Sequence, residues 1–123
     1  MAGALARGAE DVGVRTHRVG ASGLEVSGLG LGTMTWGGDT DLHGAERLVA
    51  RFVEAGGTLI DTAPAYGGGA AEKMIGRITR THVRRDELVI ATKAGFGLRN
   101  GRRTVDTSRK AMLDDLTGSL RRL

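Results

Sequence analysis

Three short apolar segments constrain this chain more than any other feature: GLGLGT at 28–33, TLID at 58–61 and ELVIATK at 87–93. None alternates polar with apolar as a half-exposed strand does, so each reads as a strand covered on both faces. Helical periodicity fills the intervals. Ala45, Leu48, Val49, Phe52 and Val53 recur at i, i+3, i+4, i+7 and i+8, with Asp39, Thr40 or Asp41 to cap the start and Gly56-Gly57 to stop it. A second helix fits Ala70 to Thr81, with Ala71, Met74, Ile75 and Ile78 on one face. A third fits about Thr107 to Leu123, where Leu113, Leu116, Leu120 and Leu123 form the stripe and Asp106 to Ser108 supply caps. Upstream, HRV and LEV flank Gly20-Ala21-Ser22-Gly23, a hairpin signal. AGFGLRNGRRT, at 94–104, reads as a glycine- and arginine-rich loop, and residues 1–14 as a flexible leader ahead of one unit at 15–123. The predicted class is α/β: a hairpin, then three strand–helix units on a parallel sheet.

Composition narrows the function classes. At 40% hydrophobic and 26% charged, the 123 residues have the make-up of one globular domain. The absence of cysteine excludes disulfides and thiolate metal sites. No run approaches the roughly 18 apolar residues that span a bilayer. The first fifteen residues carry Glu10 and Asp11 and lack a continuous apolar core, unlike a secretory signal. The expected compartment is the cytoplasm. Net charge is +4, with fifteen arginines against three lysines, but acids are interleaved (RRDE, DTSRK, LDDL) and the aromatics form no stacking series. Scattered arginine on solvated helix faces explains this better than a nucleic-acid surface does.

Parallel α/β folds place ligands at the carboxyl ends of their strands. That rule selects Asp61 at the end of the second strand, Lys93 at the end of the third, and Tyr66 in the loop after the second. Each has an ordinary explanation alone: a turn cap, a packed aromatic with a wet hydroxyl, a strand emerging into water. At converging strand ends the three together favour a site. A phenol titrates near 10 and is a poor proton donor at neutral pH. A neighbouring ammonium stabilises its phenolate, and a carboxylate keeps that ammonium charged and oriented. Such a trio suits proton transfer to an oxygen.

DTAPAYGGG ending one strand and VIATKAG ending the next resemble the aldo-keto reductase family, as do the opening HRVGASGLEVSGLGLGTMTWG and the closing VDTSRKAMLDDLTGSLRRL. The resemblance covers about Thr16 to Leu123. It implies the first three βα units of a (β/α)8 barrel closed below by an N-terminal hairpin. It also implies NADPH-dependent reduction of small aldehydes and ketones. Carried over, Tyr66 is the general acid, Lys93 its tuning partner and Asp61 the carboxylate that holds the lysine. Gly32, Thr33 and Trp36 match the segment beside the nicotinamide and substrate, with Asp61 a further cofactor contact. Family members commonly carry a serine before the glutamate that opens the second helix, where Ala71 stands here, and losing a capping hydroxyl there would cost about 1 kcal/mol.

The same resemblance marks what these residues do not contain. A barrel of this type needs roughly 250 residues. The family's catalytic histidine belongs to a fourth strand, and His17, His43 and His82 fall in the hairpin, at the first helix start and after the second helix. The phosphate- and adenine-binding loops belong to later strands, and GLGLG is part of a strand rather than a phosphate cradle. The 123 residues alone are therefore expected to be catalytically inactive and to self-associate through open sheet edges and an uncovered inner face around Leu59, Leu88 and Ile90 or their neighbours. The alternatives are a non-catalytic remnant or interaction module, and a barrel assembled from several partial chains.

Overall fold

The computed structural model describes residues 13–123. A hairpin of β1 (Thr16–Arg18) and β2 (Glu25–Ser27) comes first, closed by Val19 N–H donating to the Leu24 carbonyl at 2.8 Å. Three parallel strands follow in the order β3 (Gly30–Gly32), β4 (Leu59–Asp61) and β5 (Val89–Ala91). Helix α1 (Leu42–Glu54) links the first two and α2 (Ala70–Thr81) the next two, while α3 (Arg109–Arg122) ends the described chain. This is the expected hairpin plus three βα units. The leader expected at 1–14 lies outside the described residues apart from its last two, of which Val14 donates its N–H to the Ala55 carbonyl.

Register decides which side chains meet. Leu31, Ile60 and Ile90 are paired across the sheet, and all three pack with Val49, Ile75, Ile78 and Leu88 beneath α1 and α2. The alternate rows, Gly30–Leu59–Val89 and Gly32–Asp61–Ala91, therefore face the other way. Of the residues expected on the inner face, Leu59 is there, whereas Leu88 and Ile90 belong to the helix side. A one-residue change of parity moves a side chain across the sheet, and apolar runs without alternation do not reveal parity.

Local chemistry explains the helix ends. The Asp41 carboxylate accepts from Gly44 N–H and the Ser108 hydroxyl from Ala111 N–H, so of the candidate caps these two serve. Helix α2 starts differently. Its cap position is Gly69, with a left-handed backbone and no side-chain cap, and Ala71 lies fully buried in the first turn. A serine at 71 would not occupy the cap, so the expected capping loss does not arise.

Two further expectations are corrected. Residues 94–104 are not a plain loop: β6 (Phe96–Arg99) and β7 (Arg102–Val105) pair antiparallel around Asn100-Gly101, whose φ values of 53° and 74° match a two-residue hairpin turn. The leucine stripe of α3 does not form its packed face either. Leu113, Leu116 and Leu120 are exposed, Ala111 and Ser119 are buried, and only Leu123 of the four packs with the core. Small residues let α3 approach α2 closely. A β-carbon at Gly76 would overlap the Arg122 carbonyl oxygen.

Candidate active site

Asp61 is the last residue of β4, and its row faces away from the helices. Strand β5 ends at Ala91, and Lys93, two residues on, returns to the same side. The Lys93 Nζ donates to both Asp61 carboxylate oxygens at 3.0 and 2.9 Å, to the Thr62 carbonyl at 3.0 Å and to the Tyr66 hydroxyl oxygen at 3.2 Å. It also lies 4.9 Å from the centre of the Tyr66 ring. An ammonium only donates, so the Tyr66 oxygen is an acceptor in this contact and its own O–H remains available to another partner. The structure thus brings Asp61, Tyr66 and Lys93 into one cluster.

Electrostatics favour a charged lysine. Burial works against the ammonium, but the hydrogen bonds to Asp61 and Tyr66 and the attraction of their charges outweigh it, raising the Lys93 pKa above the ordinary lysine value. The Lys93 and Asp61 side chains are each about half exposed, at 49% and 48%, so the bridge is a matter of orientation more than of stability.

Tyr66 is placed by the three glycines behind it. Gly67, Gly68 and Gly69 have φ of 57°, 62° and 93°, a left-handed run that turns the chain into α2. At Gly67 the need is double, because a β-carbon there would sit 2.7 Å from the Trp36 carbonyl oxygen, whereas at Gly68 it would meet nothing within 4 Å. Gly68→Ala is therefore expected to cost only the left-handed penalty, about 1–2 kcal/mol. Gly67→Ala should cost clearly more, the difference being read as the gap between their urea unfolding midpoints.

The remaining candidates divide. Gly32 pairs with Asp61 on the inner row, and space stands open before it, since an added β-carbon would meet no atom within 4 Å. Thr33 is buried, with its hydroxyl donating to the Asp61 carbonyl at 3.0 Å. Trp36 is elsewhere: its ring is 1% exposed within the core, while Met34 of the same loop is 71% exposed. A large apolar ring gains more from burial between helices than from a wet rim, and the sequence does not say which loop residue turns inward.

Sequence reasoning missed Glu72. This carboxylate is fully buried, accepts from the Thr92 hydroxyl at 2.7 Å and pairs with the Arg122 guanidinium Nε. An acid in a first helical turn reads as an exposed dipole partner. Its burial depends on Arg122, fifty positions away, which no local pattern announces.

The hairpin, the three-stranded parallel sheet and the phenol–ammonium–carboxylate cluster at its carboxyl rim define the class as α/β with a candidate site at one end of the sheet. Residues 28–123 match the model of the Aldo/keto reductase family. The chain is 35% identical over 107 residues to the aldo-keto reductase YhdN of Bacillus subtilis, covering 83% of this chain and 32% of the relative. Among solved structures it is similar to PA4992 of Pseudomonas aeruginosa, itself assigned to the aldo-keto reductases, with TM-score 0.77, 37% identity, and 88% of this chain and 42% of that one covered. It is also similar to the holo form of aldo-keto reductase AKR11C1 from Bacillus halodurans, with TM-score 0.79, 32% identity, and 89% and 36% covered. This chain belongs to the aldo/keto reductase family. It spans about a third of the length of the curated relative.

Proposed function

We propose that this chain supplies the proton-donating part of an NADP(H)-dependent carbonyl reductase that converts aldehydes and ketones to alcohols. The observation that carries the reading is the Lys93 ammonium held 3.2 Å from the Tyr66 oxygen by both oxygens of Asp61. Tyr66 points its proton at the carbonyl oxygen of the substrate. Lys93 stabilises the negative charge left on the phenolic oxygen as that proton leaves, and Asp61 keeps the lysine charged and aimed. A reduced nicotinamide, when bound, supplies the hydride for the carbonyl carbon. Hydride and proton together make the alcohol, and the proton returns to Tyr66 from solvent.

The inner face fits a flat ring beside this cluster. It is open before Gly32, edged by the carboxylate of Asp61, and fixed at its rim by the Thr33 hydroxyl.

The test joins residues 16–123 to the remaining two thirds of the Bacillus subtilis relative and follows NADPH oxidation with 4-nitrobenzaldehyde. Turnover by the chimera, and none by the 123-residue chain, is the expected pair of results. A chimera that folds and binds NADPH without turning over would remove the assignment.

The chain by itself should also associate. The outer edges of β3 and β5 have no strand neighbour among the described residues. Phe96, Leu98, Leu116 and Leu120 are exposed as well. Sedimentation at micromolar concentration is expected to show self-associated species, and a monodisperse, cooperatively melting monomer would contradict this.

A further inference from the structure

We infer that Glu72 is a positioning residue: through its hydrogen bond to Thr92 it clamps the strand end that carries Lys93 to the helix start that follows Tyr66. Glu72 stands in the first turn of α2, directly after the glycine turn that begins at Tyr66. Its carboxylate is fully buried, a position normally closed to a lone acid. The Oε1 atom accepts from the Thr92 hydroxyl at 2.7 Å, and Thr92 immediately precedes Lys93. The last ladder contact joining these segments is Thr62 N–H to the Ala91 carbonyl, so residues 92 and 93 run past the paired part of the sheet. The side chains of Thr92 and Lys93 leave the backbone on opposite sides. Fixing the first toward α2 therefore aims the second at Asp61 and Tyr66.

Arg122 completes the clamp from α3. Its Nε pairs with Glu72 Oε2, and its stem lies over the glycine turn, 3.1 Å from where a β-carbon of Gly69 would be. One carboxylate thus touches the supports of both reactive groups. Tyr66 is held through α2 and Lys93 through Thr92, and the 3.2 Å contact between them spans the gap. The role needs a hydrogen-bond acceptor at 72 and a hydroxyl at 92. It does not need Glu72 to approach the substrate.

The inference draws on the reductase reading only for the use made of the lysine, and its test is read without turnover, so the two can fail separately. The sequence holds three lysines, at 73, 93 and 110, so ¹³Cε-lysine labelling gives few enough signals to assign Lys93 by Lys→Arg substitution. Titrating that signal in the 123-residue chain reports whether Asp61 and Tyr66 still surround the ammonium. Thr92→Val removes the hydroxyl at nearly constant shape and should shift the Lys93 midpoint down toward that of a free lysine. Thr92→Ser should restore it, and Ile78→Val, which loosens α2 away from the clamp, should leave it unmoved. If Thr92→Val fails to fold, Thr92→Ala is read instead, with the same downward shift expected. Glu72→Gln keeps an oxygen for Thr92, so there Lys93 should hold its parent midpoint. A Lys93 midpoint indifferent to Thr92→Val, or moved equally by Ile78→Val or by Glu72→Gln, would overturn the clamp.

Discussion

Tyr66→Phe in the chimeric barrel is expected to lower kcat by about 10²–10⁴-fold, the range a positioned proton donor contributes. KM for the aldehyde should change far less, because the ring remains and only the group that gives up a proton is lost. Phenylalanine preserves the packing of the half-buried Tyr66 against the core, so the loss is not a folding defect. Circular dichroism and the NADPH dissociation constant should match the parent. A variant that keeps more than about a tenth of the parent kcat would show the proton coming from elsewhere. Lys93→Met should fall in the same direction, since it withdraws the charge 3.2 Å from the reacting oxygen.

The second large effect concerns stability. Arg122→Ala leaves the Glu72 carboxylate buried and short of its charged partner. Breaking a buried pair from one side costs about 3–5 kcal/mol. Arg122 is 27% exposed, which lets water reach part of the gap and places the expected cost at about 3 kcal/mol. Equilibrium urea unfolding measures it. A companion Glu72→Gln/Arg122→Met protein removes both charges and should recover part of the loss, because the penalty lies in the orphaned ion more than in the missing bond. If Arg122→Ala unfolds at the parent midpoint, the carboxylate is not held as described.

Legibility from sequence followed how far each signal reaches. Strands β3, β4 and β5 and helices α1 and α2 were accessible because their apolar residues are local and periodic. The rim was accessible too, since a strand's last residue and the first residues after it lie together whatever the side chains do. Tertiary facts were harder to read. The leucines of α3 spell out a stripe, yet the packed face holds Ala111, Ser119 and Arg122, because closeness to Gly76 and the charge at Glu72 outweigh hydrophobicity there. The hairpin around Asn100-Gly101 did carry a local signal: two residues suited to positive φ between LR and RRTV. Arginines on both arms hide the alternation that normally accompanies it. Trp36 shows the opposite limit. The family resemblance implies a place beside the cofactor, and its environment is the core.

Lys93 engages three groups with the three hydrogens of its ammonium: a carboxylate through both oxygens, a carbonyl and a phenol. Three groups gathered around one nitrogen suit a compact ammonium, and a guanidinium, flat and forked, does not match them. Arginine, abundant throughout this chain, would keep the positive charge at position 93 and still misplace it. What the rim selects there is the shape of a cation.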